Sequence, residues 1–259
     1  MASSQPSKHP RDEALDARIY PDKKSLGEAA AAHVAATLTQ TIETRGRAVA
    51  IFATGASQFD FLAALRTQRN IAWKRVIAFH LDEYVGMSPD HPASFRRYLR
   101  EHIFDAVCPG EIHFLAGEAT DPQAECRRYG RLLAEKGPAD IACIGIGENG
   151  HIAFNDPHVA DFNDPAAVKI VDLDEPCRRQ QFGEGWFPSL DDVPRTAFTL
   201  TIPAILSARA ISCVVPERRK AEAVRKALLG PIAPTCPASV LRRHPNCILY
   251  LDQESASLL

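Results

Sequence analysis

Short uninterrupted apolar runs recur along the chain, separated by stretches of helical spacing, and this alternation limits the folds open to it. Ala48-Val49-Ala50-Ile51-Phe52-Ala53 contains no polar residue, as expected of a strand covered on both faces. Val76-Ile77-Ala78-Phe79, Ile141-Ala142-Cys143-Ile144 and Cys247-Ile248-Leu249-Tyr250-Leu251 read the same way. Ala197-Phe198-Thr199-Leu200-Thr201 and Ala210-Ile211-Ser212-Cys213-Val214-Val215 are further strands, with a short one near Ile112-His113-Phe114. Between these runs the spacing predicts helices over 22–44, from Ser57 to about 68, from His91-Pro92-Ala93-Ser94 onward, and over 121–136 and 216–229. Arg45-Gly46 and Gly137-Pro138 are helix stops. Alternation of this kind predicts a single-domain α/β fold. Its mostly parallel sheet is doubly wound and Rossmann-like, with helices on both faces. Residues 1–21 are polar and read as a flexible N-terminal extension, leaving 22–259 as the domain. Residues 156–194 show weak periodicity with frequent Pro, Asp, Gly and Arg, as in an excursion or active-site lid.

Several function classes are disfavoured by composition. The formal net charge is −2, with both signs spread along the chain. That argues against a nucleic-acid groove or a membrane-surface patch, so an anionic ligand would need a local positive site. No apolar run approaches the roughly 18–20 residues needed to span a bilayer, so no membrane partner is expected. The start of the chain has no apolar signal core, which argues against secretion. Seven cysteines lack any CxxC pair; they suit reduced thiols in a cytoplasm better than a disulfide frame or a zinc site.

In a parallel α/β sheet, ligands bind in the loops at the carboxyl ends of strands. Three such loops carry chemistry. Thr54-Gly55-Ala56-Ser57 joins a strand to a helix start. Its small residues would let backbone N–H groups approach a phosphate, or it is an ordinary turn with Ser57 as N-cap. His80-Leu81-Asp82-Glu83-Tyr84-Val85-Gly86 follows the next strand. One of its adjacent acids suits a general base on a sugar carbon; alternatively Asp82 caps a loop and Glu83 sits in solvent. Gly145-Ile146-Gly147-Glu148-Asn149-Gly150-His151-Ile152-Ala153-Phe154-Asn155-Asp156-Pro157 packs glycines, a histidine, Asn and Asp into one loop. Its spacing is wrong for a dinucleotide fingerprint, and a strand-end histidine beside Asn and Asp suits proton shuttling. Lys220, in the basic turn Glu217-Arg218-Arg219-Lys220, could neutralise a phosphate or lie in solvent.

Together these segments resemble the glucosamine-6-phosphate deaminase family over about 48–252. The Asp82-Glu83-Tyr84 and Gly150-His151-Ile152-Ala153-Phe154-Asn155 elements are specific, and His91-Pro92-Ala93-Ser94-Phe95, Lys220-Ala221 and His244-Pro245 agree. The resemblance implies an aldose–ketose isomerisation with loss of ammonia, turning glucosamine 6-phosphate into fructose 6-phosphate in amino-sugar (N-acetylglucosamine) catabolism. By it, His151 opens the sugar ring, with Asn149 and Asp156 beside it, and Asp82 moves the proton from C2 to C1. Thr54, Gly55, Ala56, Ser57 and Lys220 hold the phosphate. It implies no metal and no organic cofactor, a small phosphosugar as partner, and assemblies ranging from hexamers to smaller ones, so a homo-oligomer is compatible.

The chain departs from the family pattern in three places. Asn149 stands where the family often has Asp, which should lower the basicity of His151. Asp156 replaces a Glu, setting its carboxylate roughly 1–1.5 Å back. In 158–193 no Arg occupies the family's phosphate position, leaving Arg178 and Arg179 as candidate lid contacts. The rival readings are a 6-phosphogluconolactonase-like hydrolase, which usually has Asp-Glu-Arg in place of Asp82-Glu83-Tyr84, and a deaminase-like enzyme or sensor for a different phosphosugar.

Overall fold

A computed structural model describes residues 15–259. Among them are ten strands: β1 (Asp16–Tyr20), β2 (Ala48–Phe52), β3 (Val76–His80), β4 (Asp82–Tyr84), β5 (Glu111–His113), β6 (Ile141–Ile144), β7 (Val168–Asp172), β8 (Thr196–Leu200), β9 (Ile211–Val215) and β10 (Cys247–Asp252). The helices are α1 (Lys23–Arg45), α2 (Phe59–Leu65), α3 (Phe95–Leu99), the single turn α4 (Asp105–Val107), α5 (Pro122–Lys136), α6 (Glu175–Gly183), α7 (Ile202–Leu206) and α8 (Ala221–Leu229). None of them is long and apolar enough to cross a membrane.

Seven strands form one sheet in the order β1-β10-β9-β6-β2-β3-β5, and every neighbouring pair is parallel. Period-two alternation divides its side chains between two cores. Val49, Ile51, Ile77, Phe79, Ala142 and Ile144 pack with Tyr129 of α5 and Val224 of α8. Ala48, Ala50, Phe52, Val76, Ala78, Ile141 and Cys143 pack on the opposite face with Leu26, Val34 and Leu38 of α1 and Phe61, Leu62 and Leu65 of α2. Helices therefore cover both faces, which is why these strands read as unbroken apolar runs. From β2 the chain winds outward through β3 to β5; from β6 it winds the other way through β9 to β10. The switch point between β2 and β6 opens a crevice at their carboxyl ends, where such folds bind ligands.

Two features differ from the sequence reading. Asp16–Tyr20, assigned to a flexible extension, is an edge strand that pairs along its length with β10. The rest of that extension, 1–14, lies outside the described residues. Asp22 follows as the N-cap of α1, accepting a hydrogen bond from the Ser25 N–H at 2.7 Å. A second, three-stranded antiparallel sheet, β4-β8-β7, was not expected. It takes Asp82, read as part of a loop, into a strand, and it orders the stretch of weak periodicity, which contributes β7 and α6.

Tyr129 pins the exit of β3. Its buried hydroxyl accepts from the His80 N–H at 2.9 Å and shares its proton between the His80 and His113 carbonyls at 3.0 and 3.1 Å. The His80 groups lie two residues before Asp82. Tyr129→Phe leaves them buried without a partner, and the expected cost is about 1–3 kcal/mol. Urea unfolding monitored by circular dichroism measures it; an unchanged midpoint would show that the hydroxyl is not needed there.

Candidate active site

A cavity of about 590 Å³ sits at the switch point. The loops after β2, β3 and β6 all reach it, as do Lys220 and the lid helix α6. After β2, Gly55 adopts φ 103°, a conformation that L side chains rarely enter. Its carbonyl accepts from the Tyr98 hydroxyl at 2.8 Å, tying the loop to α3. No side chain caps the turn that follows, so Ser57 is not an N-cap. Thr54, Gly55, Ala56 and Ser57 line the cavity with Lys220. The Lys220 side chain is only 2% exposed. Burial, with Arg219 adding repulsion, brings its ammonium down to about 8. A buried ammonium of this kind gains from an anionic ligand.

Asp82 and Glu83 are both buried but play different parts. The Glu83 carboxylate accepts from the Ser94 hydroxyl at 2.8 Å and from the N–H groups of Phe95 and Arg96 at 3.3 and 3.2 Å. It also pairs with the Arg96 guanidinium at 3.3 Å. Glu83 thus caps the start of α3, and the sequence alternative that puts it in solvent does not hold. Asp82 points into the cavity. Burial, then the neighbouring Glu83, pushes its carboxyl up to about 8.

The loop after β6 builds a compact proton-handling group. His151 Nδ1 lies 2.8 Å from Asn149 Oδ1 and 2.9 Å from Asp156 Oδ1. Asn149 Nδ2 donates to the same Asp156 oxygen at 2.7 Å. Two acceptors at Nδ1 assign the neutral proton there and leave Nε2 as the acceptor. Burial works against the Asp156 charge, yet His151 and these hydrogen bonds hold its carboxyl below the usual range. Asn149 therefore contacts the ring alongside an anion, not in place of one. Asp156 supplies the carboxylate, and its shorter side chain leaves no gap. A tight turn brings it in: Asn155 Nδ2 donates to the carbonyls of Ile152 and Leu200 at 3.0 and 2.8 Å. Within that turn Ala153 is held at φ 51°, a strained setting for a residue with a Cβ. Thr199 of β8 ties this loop to Asp82. It pairs with Asp82 across the small sheet, and its Oγ1 accepts from the Phe154 N–H at 3.1 Å.

Neither Arg178 nor Arg179 reaches the cavity. Arg178 donates to the Leu190 and Val193 carbonyls at 2.6 and 3.1 Å, and Arg179 pairs with Glu175. The same helix instead presents Gln180 and Gln181 to the cavity, and Glu184 at its C-cap joins them, residues that sequence reasoning missed. Asp174 N-caps α6, accepting from the Cys177 N–H at 2.8 Å, with Pro176 in the first turn. That start signal was present in the sequence. Arg219 fastens the lid by pairing with Glu184 at 3.2 Å and with Glu148 at 3.0 Å.

The fold and site define a doubly wound α/β protein with an acid–base pocket at its switch point. The chain belongs to the family described as glucosamine-6-phosphate isomerases/6-phosphogluconolactonase, whose model matches residues 21–249. It is 42% identical over 207 residues to a glucosamine-6-phosphate deaminase of Exiguobacterium sibiricum, covering 80% of this chain and 79% of that one. A glucosamine-6-phosphate deaminase of Rhodopirellula baltica is 35% identical, with 95% and 96% covered. Among solved structures, a monomeric glucosamine-6-phosphate deaminase superposes with a TM-score of 0.86 at 33% identity, covering 95% of this chain and 100% of that one. A 6-phosphogluconolactonase from Shewanella baltica shares the fold, with a TM-score of 0.77 at 19% identity, covering 92% and 97%.

The ring of His151 occupies the space beside Gly147. A Cβ there would stand 2.1–2.4 Å from three of its ring atoms, so Gly147→Ala must push the imidazole off Asp156. Activity is expected to fall about 100-fold or more, the scale of a lost general acid–base group, while the circular dichroism spectrum stays unchanged. Normal turnover in that variant would remove the ring position from the mechanism.

Proposed function

We propose that the chain converts glucosamine 6-phosphate and water into fructose 6-phosphate and ammonia. One observation carries this reading: Asp82 and His151, the latter backed by Asp156, face one cavity, which Lys220 and the small-residue Thr54 loop also line. The fit to family relatives bearing this activity supports it.

The phosphate sits against Lys220 and the backbone of residues 54–57, which fixes the sugar so that proton transfers become effectively intramolecular. His151 Nε2 accepts the O1 proton and returns a proton to O5, opening the ring. Asp156 stabilises the imidazolium formed between those two transfers. Asp82 removes the C2 proton of the open aldehyde. The electron pair moves into an enol, and the proton returned to C1 leaves an iminium at C2. Water adds to that carbon and ammonia departs, giving the ketose. We assign the reaction to amino-sugar catabolism in the cytoplasm, a setting that suits seven cysteines present as free thiols.

A second reading is motivated by Gln180, Gln181 and Glu184 on the cavity wall. Uncharged amides and an acid there suit a different amino-sugar phosphate. A phosphosugar panel scored for ammonia release decides between the two. Release of acid from a lactone without ammonia would instead favour the hydrolase.

Asp82 works as a base only when ionised. With its carboxyl raised to about 8 and the Lys220 ammonium lowered to about 8, kcat/KM should rise with pH as Asp82 ionises, pass through a maximum near that value and fall as Lys220 loses the charge that holds the phosphate. Asp82→Asn should lower kcat by about 100- to 10,000-fold, with phosphosugar binding retained. It should also stabilise the fold at pH 9. A carboxyl raised on folding contributes stability below its unfolded pKa and loses it as pH rises to its folded one, and the amide has no such loss. Full turnover in Asp82→Asn would exclude it as the base. Lys220→Ala should raise KM by about 10- to 100-fold through loss of a charge-assisted contact; an unchanged KM would place the phosphate elsewhere.

A further inference from the structure

The lid helix brings a side chain to the histidine–carboxylate pair that the chemistry above does not use. Cys177 of α6 is 1% exposed. Its Sγ, an Asp156 carboxylate oxygen and a His151 ring nitrogen all lie within 4.8 Å of one another, and all three residues are buried. The two Asp156 oxygens differ. Oδ1 is engaged by His151 and Asn149; Oδ2 is buried with no hydrogen-bond partner among the described residues. A fully buried carboxylate oxygen without a donor is costly, and native structures seldom leave one so. The Cys177 thiol lies against this carboxylate and, as a weak donor, helps keep it charged without giving Oδ2 a well-formed hydrogen bond. A separate hollow lined by Glu148, Asn149, Pro176, Cys177 and Gln180 offers a way in that does not pass through the sugar cavity.

We propose that His151, Asp156 and Cys177 form a binding site for a divalent cation of the zinc class, and that the bound ion switches the enzyme off. Imidazole, carboxylate and thiolate are the donor types of tetrahedral zinc. In such a shell neighbouring donors stand about 3.3–3.6 Å apart, given metal–ligand bonds of about 2.0–2.3 Å, so side-chain shifts of roughly 1 Å close it. Asn149 Oδ1, 2.8 Å from Nδ1, or a water completes the four. The ion takes Nδ1, Asp156 Oδ2 and Cys177 Sγ, and the thiol proton leaves to solvent. Coordination at Nδ1 forces the imidazole proton onto Nε2. The ring can then no longer accept a proton there, so ring opening stops. This inhibitory part rests on the proposed role of His151; the binding part does not.

The test uses the full chain after chelator treatment, with Co²⁺ as the spectroscopic probe and Zn²⁺ as competitor. Expected are binding of a single equivalent, a thiolate-to-cobalt charge-transfer band with the strong visible bands of a four-coordinate ion, and displacement by Zn²⁺. Cys177→Ser should lose the charge-transfer band and bind Zn²⁺ at least about 100-fold more weakly, since outer-shell changes alone cost about 10- to 100-fold. Cys177→Ala repeats the test should the serine variant fold poorly. Without metal, Cys177→Ser should turn over as the parent does and should resist Zn²⁺ concentrations that inhibit the parent reversibly. Cys108→Ser, which removes the exposed thiol, should behave as the parent. No charge-transfer band in the parent, or equal Zn²⁺ affinity in Cys177→Ser, overturns the site and leaves the deaminase reading untouched. A zinc-loaded enzyme that remains fully active overturns the inhibition and counts against His151 as the ring-opening group.

Discussion

The molecule depends on strands that must be covered on both faces. Every residue of β2, β3 and β6 is buried, so helices have to return on each side of the sheet, and the chain has to reverse its winding direction once to place them. That reversal falls between β2 and β6. Their carboxyl ends diverge there, and the space they leave is the cavity. The site is thus a consequence of how the hydrophobic residues are shared between two cores.

The same burial sets the chemistry. Burial shifts Asp82 and Lys220 each toward its neutral form, the acid up to about 8 and the ammonium down to about 8. Opposite groups are thereby brought near the same poise by one cause, desolvation. Glu83 is buried more deeply than Asp82 but is surrounded by donors from the start of α3 and by Arg96. Two adjacent acids therefore divide their labour by hydrogen bonding. One holds the scaffold, while the other is left without a donor to react.

Much of this was legible in the residues. The parallel sheet followed from apolar runs such as 48–53 and 141–144, because strands buried twice cannot alternate with polar residues. The three site loops followed from their place after those runs. The second sheet did not. β4 is three residues long, and β7 carries Lys169 and Asp172 at half-covered or exposed positions, so neither has a strong period. β1 was hidden likewise, as an exposed edge strand with charges at Asp16 and Arg18. The sequence set Asn149 and Asp156 both beside His151 but did not show how the two reach one ring. Asn149 is two residues away and Asp156 five, yet the Ala153 turn folds Asp156 back so that both touch the same ring nitrogen. The lid arginines were misplaced because helix phase, unseen in a stretch of weak pattern, decides which side of α6 faces inward.

Thr199 joins two parts of the site. Its backbone pairs with Asp82 and its hydroxyl receives the Phe154 N–H of the histidine loop. Asp82 and the loop that carries His151 are therefore tied to each other through one residue of a short antiparallel ribbon, beyond their places after β3 and β6 of the large sheet. Such a ribbon acts as a caliper. Drift in the strands of the large sheet is then opposed by a second, shorter path between Asp82 and the histidine loop, through Thr199. Variation in α6 beside an intact Asp82–Thr199–Phe154 connection is what a protein built this way would permit.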